Sequence, residues 1–282
     1  MGTLTCEPCG NPFSDRLTQC PHCGRPAVAY PNVLDATRPR ERDALARRVA
    51  AAKARATSRG VDGVLERLEQ DLRGSRAVRT VRSHEIERLV SSEHTAMSTY
   101  YRQLQGGYRL PEASKGGPDW DRLRRIAESA AFSTYADEIQ FAALTIDDRG
   151  LSSYGDAALF LREDCIAHRA SVFEDNIVLW MQAQGPVWDI PPGYCAPWES
   201  RAALGVAKLA DEVTEDADLA QLVLHAGAKT LDDSMLEVHV YGSMTVRSVA
   251  SIDIRENRIS EQFRQELDER AAECGFVWRA VS

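Results

Sequence analysis

The sequence predicts an α+β fold in three parts: an N-terminal four-cysteine zinc ribbon, a helical region, and a mixed domain with a mostly antiparallel β-sheet. Three observations predict it. Two CxxC pairs fall within the first 25 residues. An Ala- and Arg-rich stretch at helical period follows them. From about residue 138, short apolar runs bounded by turn residues alternate with helical stretches. The expected divisions are 1–30, 31–76 and 77–282. At 44% apolar and 27% charged residues the chain has the composition of a folded globular protein rather than a disordered one.

The zinc ribbon rests on CEPC at residues 6–9 and CPHC at residues 20–23, each followed by a glycine, Gly10 and Gly24. Two such knuckles supply four thiolates to a tetrahedral ion, here Cys6, Cys9, Cys20 and Cys23, with His22 a bystander. The segment is too short to bury a core, so the metal supplies its folding energy. Four protein ligands close the site, which makes the expected zinc structural. Zinc ribbons bind nucleic acids or proteins. The scattered Cys165, Cys195 and Cys274 read as small core residues.

The start, MGTLTCEPCG, lacks the basic and apolar sequence of a secretory signal, and no run approaches the length of a membrane span. With thiols read as ligands rather than disulfides, the expected location is cytoplasmic and the expected partners exclude membrane. The net charge of −8 argues against a wholly basic nucleic-acid coat protein. Charge is uneven, however. Residues 38–59 hold eight basic and two acidic side chains, whereas 211–218, DEVTEDAD, hold five acids and no base. The basic stretch either tracks a phosphate backbone, with residues 1–60 recruiting a nucleic-acid or protein target, or is a solvated helical connector.

Residues 37–57 read as a helix that Thr37 caps and Gly60 ends, and 61–74 as a second with Val64, Leu65, Leu68 and Leu72 on one face. AVRTVRS, 77–83, reads as a strand. SHEIERLVSSEHTAMSTYYRQLQ, 83–105, reads as one long helix stopped by Gly106 and Gly107, followed by a loop at 111–118 and a helix at 119–132. IQFAALTI, 139–146, reads as a buried strand. Extended runs follow in YGDAALFLRED and HRASVFED. Then come a Pro- and Gly-rich stretch at 185–198, read as a lid or a connector, and helices at 198–213 and 216–229. LEVHVYG and TVRSVASIDI are strands, and a helix capped by Ser260 covers 260–275.

In LEVHVYG, residues 236–242, strand alternation sends Leu236, Val238 and Val240 one way and Glu237, His239 and Tyr241 the other. That polar face is either solvated or a site. No glycine-rich nucleotide loop, nucleophile elbow or HExxH helix accompanies it.

Three stretches together, LSSYGDAALFLRED, IAHRASVFEDN and LEVHVYG, resemble the ADP-ribosyltransferase superfamily, in particular bacterial and DNA-modifying toxin-like members. The matching features are Tyr154-Gly155 opening a strand, Arg162 and Arg169 further on, and Glu237 shortly before Tyr241-Gly242. The resemblance spans about residues 78–255 and implies a split sheet that uses NAD as substrate to modify a macromolecule. It implies Glu237 as the catalytic carboxylate with His239 beside it. It also implies NAD contacts from Tyr154, Arg162, Arg169 and Tyr241, with Arg82 or His84 at the first-strand position. Such a carboxylate stabilises charge built on the ribose as the nicotinamide bond breaks. Two other functions stay open: a non-enzymatic zinc-ribbon adaptor for nucleic acid or protein, and a metal-dependent nuclease using Glu237, His239 and Asp232 or Asp233.

Overall fold

The structure is a computed structural model. It describes residues 3–5, 11–14, 21–22, 30–106, 120–185, 189–227 and 233–282. The four knuckle cysteines, the loop at 111–118 and Asp232 lie outside the described residues. At the start of the chain, β1 (Thr3–Thr5) pairs antiparallel with β2 (Pro12–Ser14).

Mixed helix and sheet make up the rest. The centre is an eight-stranded sheet of β3 (Arg76–Val81), β4 (Ile139–Thr145), β5 (Ala157–Leu161), β6 (Ala170–Phe173), β7 (Cys195–Pro197), β10 (Glu237–Tyr241), β11 (Val249–Arg255) and β12 (Val277–Val281). Its order is β12-β11-β5-β3-β4-β10-β6-β7, and every neighbouring pair is antiparallel except β11 with β12. A small separate pair joins β8 (Leu224–His225) to β9 (Ser234–Met235).

Both faces of the sheet are covered. Val238, Val240, Leu144, Val172 and Leu159 pack under α2 (Pro39–Arg59), α3 (Asp62–Arg73), α4 (Ser83–Val90), α9 (Arg201–Leu209) and α11 (Glu261–Cys274), forming the main core. On the opposite face, Phe141 and Phe173 pack under α6 (Trp120–Phe132) and α8 (Ile177–Gln184). Shorter helices are α1 (Pro31–Ala36), α5 (Tyr100–Gln105), α7 (Glu163–Ile166) and α10 (Leu219–Val223).

Residues 31–76 pack into this core. The small residues Ala52 and Ala56 let α2 lie close against its neighbours. Gly205 on α9 has a side chain of Leu72 where a Cβ would sit, so α3 and α9 approach closely. Six of the eight basic side chains of 38–59 hold partners within the fold. Arg38 meets Asp35, Arg40 meets Glu41, Arg48 meets Glu174, Lys53 meets Glu69, Arg55 meets Asp211, and Arg59 caps the carbonyls after α9. The Pro- and Gly-rich stretch is a pinned connector where it is described. Gly193, at φ 83°, lies against the backbone of Ala44 and Leu45, donates to Glu41 at 2.7 Å and accepts from Arg48 at 2.5 Å.

The helix read at 216–229 covers only Leu219–Val223 before the chain turns into β8, and two further departures from the sequence expectation have physical causes. The long helix at 83–105 is two helices, α4 and α5, because Ser91 and Ser92 favour local side-chain bonds over helix. Between them, Ala96 bridges Thr245 and the Met97 amide donates to the Met244 carbonyl. The second is α8, whose apolar positions run all round it and leave no helical stripe to read.

Candidate functional site

The sheet parts at its middle. β3 pairs β4 through Arg76–Thr145, Ala77–Leu144 and Val78–Ala143 and then stops. Beyond that row β3 continues against β5, and β4 against β10. A cleft of about 140 Å³ opens where the two halves diverge, lined by Val78–Val81 on one side and Ile139–Ala143 on the other. Glu237 stands opposite Ala143, in the row where the parting starts, and forms part of the cleft wall.

The polar face of β10 is thus covered, not solvated. Glu237 is 5% exposed and His239 2%. Three donors hold the Glu237 carboxylate. Asn176 Nδ2 reaches Oε1 at 3.1 Å, while the Ile177 amide at 3.2 Å and His239 Nε2 at 2.9 Å both meet Oε2. Asn176 is also the N-cap of α8, its Oδ1 accepting from the amides of Val178 and Leu179. One asparagine therefore fixes the helix start and the carboxylate together, and the positive end of the α8 dipole faces Glu237. A carboxylate oxygen only accepts, so His239 presents Nε2–H to it.

A second acid lines the same cleft. Glu128, on α6, is fully buried and accepts from Arg124 Nε at 2.5 Å, with the Tyr101 hydroxyl close by. Burial pushes its carboxyl above the ordinary range; Arg124 pulls the other way and Glu237 adds to the rise. Arg124 lies 3.9 Å over the Tyr100 ring and 5.2 Å from the Phe141 ring centre, a cation held by aromatic faces. Burial lowers its pKa, but Glu128 outweighs that and leaves the group above its ordinary value. Arg79 on β3 bonds Gln140 of β4 and donates to the Ser98 carbonyl at 3.1 Å, spanning the parted strands.

Of the residues singled out from sequence, the cleft brings together Glu237 and Tyr154, with His239 bonded directly behind Glu237. The pair Tyr154-Gly155 has a steric reason. A Cβ at Gly155 would lie 2.0 Å from the Val81 carbonyl oxygen, so only glycine lets this segment press against β3 and carry Tyr154 to the rim.

The remaining residues lie elsewhere. Arg169 donates to the carbonyls of Cys165 at 2.9 Å, Tyr241 at 3.0 Å and Ser243 at 2.8 Å, tying the end of β10 to the segment before β6. Tyr241 packs with Tyr30 and Tyr135. Arg162 forms an exposed pair with Asp164, and Arg82 and His84 are exposed where α4 begins. The β3 arginine in the cleft is Arg79. Sequence reading passed over Arg79, Glu128, Arg124 and Asn176, although the helix-cap position of Asn176 before an apolar run was a readable signal.

Asp233 accepts from Ser153 at 2.6 Å and the Gly227 amide at 2.9 Å, apart from the Glu237–His239 pair. Among the described residues no three His, Cys, Asp or Glu side chains gather as a metal-binding group, and no helix is long and apolar enough to cross a membrane. The chain matches no protein-family model and no curated protein sequence.

Proposed function

We propose that the protein is an ADP-ribosyltransferase-like enzyme that uses NAD to modify a macromolecular target. The observation that carries this reading is a buried, triply hydrogen-bonded Glu237 at the root of a cleft between parting strands. The reaction breaks the bond from ribose C1′ to the nicotinamide nitrogen, and both electrons leave with nicotinamide. The acceptor then bonds C1′ and gives up a proton. Glu237, held rigidly by α8, supplies negative charge beside the cationic ribose. Glu128 is the candidate base for the acceptor proton.

Size supports the assignment of one ring to the cleft. Cavities near 150 Å³ take benzene, so about 140 Å³ suits nicotinamide, with the rest of the dinucleotide toward the open mouth. Tyr154 and Tyr100 offer stacking faces, and Arg79 and Arg124 offer cations for the pyrophosphate. In this reading the basic α2 serves mainly to hold the fold, and target recruitment falls to the expected zinc ribbon.

Calorimetry with NAD tests the binding half. Wild type binds, and Tyr154→Ala weakens binding about tenfold, the loss expected for one aromatic stacking contact of about 1.4 kcal/mol. Absence of any heat of binding to a folded wild-type chain removes the reading and leaves the non-enzymatic adaptor.

A further inference from the structure

A second cavity, of about 210 Å³, lies on the other side of the Glu237–His239 pair. Its wall includes Asn32, Asp35, Glu41, Tyr135, Asp189 and His239. Asn32 and His239 are each 2% exposed. Asn32 Nδ2 donates to the carbonyls of Arg169 at 3.1 Å and His239 at 2.9 Å and to Ser171 Oγ at 3.2 Å. The amide cannot be turned over, because its oxygen would then face two carbonyls. That leaves Oδ1 of Asn32 without a hydrogen-bond partner, and Nδ1 of His239 has none either. Oδ1 can only accept and Nδ1 accepts in the neutral ring, and buried acceptors in native proteins are almost always matched with donors.

Acidic groups outnumber basic ones on this wall: Asp35, Glu41 and Asp189 against Arg38. Arg38 pairs with Asp35 at 2.5 Å and Arg40 with Glu41 at 3.5 Å, which leaves Asp189 outside these pairs. Tyr135 donates to Asp35 at 2.5 Å, and Glu41 accepts from Gly193. Cys195 also lines the cavity, but burial pushes its thiol up to about 12, so it is no nucleophile at neutral pH. Phe132 and Phe173 supply aromatic faces.

We infer that this cavity binds a small organic cation bearing N–H donors, an ammonium or guanidinium group, between the acceptors of Asn32 and His239 and the carboxylate of Asp35. N–H donors answer the unmatched acceptors, and positive charge answers the carboxylates. The site requires no NAD, so it stands or falls apart from the transferase reading. Its one link to the first cleft is the hydrogen bond from His239 to Glu237.

The test uses the full chain with ¹⁵N-labelled histidine. Methylguanidinium, propylammonium and tetramethylammonium chlorides are titrated at constant ionic strength without NAD. A saturable shift of the His239 Nδ1 resonance with methylguanidinium or propylammonium, and none with tetramethylammonium, supports the site; the tighter of the two names the preferred cation. Asp35→Asn, which keeps an acceptor for Tyr135, weakens binding about tenfold. Ala131→Leu fills the cavity from α6 and abolishes it, with the thermal midpoint confirming the fold of both variants. No saturable shift with either N–H cation overturns the inference. So does equal binding of tetramethylammonium, which marks an aromatic cage instead, or binding that survives Ala131→Leu.

Discussion

Glu128 and Glu237 share one cleft but differ in what surrounds them. Glu237 accepts three hydrogen bonds, whereas Glu128 is buried with its carboxyl raised by desolvation against the pull of Arg124. A raised acid pKa means that the protonated form favours folding. That contribution is complete below the ordinary value of about 4.3 and is lost as pH rises through the folded-state value. Glu128→Gln mimics the protonated form. Thermal midpoints measured from pH 4 upward are therefore expected to move in favour of the variant relative to wild type as pH rises. A gap that stays constant, or moves the other way, contradicts the assignment. Of the site, alternation made Glu237 and His239 legible as neighbours on one face of a strand, and the Tyr154-Gly155 pair was visible too. Arg79, Arg124 and Glu128 were not, because each looks like an ordinary charged residue until three separate elements converge. Arg169 shows the reverse case: the resemblance made it an NAD contact, but its donors are spent on backbone carbonyls.

Amphipathic elements were the most readable ones. α3 presents Leu65, Leu68 and Leu72 to the core as its period indicated, and α11 starts at Ser260, which accepts from the Phe263 amide. What sequence left out were α8, apolar on every side, and β12, a short strand whose parallel pairing to β11 depends on α11 crossing between them. The α2–α3 contact also depends on charge. Glu69 bridges Lys53 and Arg73, each at 2.6 Å, and the hydrogen bond from Lys53 is the main cause holding its carboxyl below the ordinary range. A lowered acid pKa stabilises above the unfolded value and is lost as pH falls through the folded one. Glu69→Gln is expected to cost about 0.5–1 kcal/mol at pH 7 by urea denaturation, with the difference closing below about pH 4. A loss that persists at pH 3 would assign the effect to packing rather than to the ion pairs.

At the scale of the whole molecule, the helices on both faces turn a half-polar strand into a buried site. α6 and α8 cover the face that carries Glu237 and His239, while the parting of β3 from β4 keeps one side of Glu237 open to a cleft. That parting could not be read from residue periodicity, since strand pairing across about 65 residues leaves no local trace. The zinc expectation is separable from it. Elemental analysis is expected to find one zinc per chain, lost in a Cys20→Ser variant. Retained metal in that variant would break the four-thiolate assignment. The most direct test of the central claim follows label from the adenylate of NAD into cell lysate in the presence of wild type or Glu237→Gln, with folding of both checked by circular dichroism. The account predicts macromolecular label with wild type and at least a hundredfold less with the variant, and nuclease or protease digestion then identifies the acceptor. Equal labelling by the two proteins would show that Glu237 is not the catalytic carboxylate, and no labelling by wild type would leave the cleft without transferase activity.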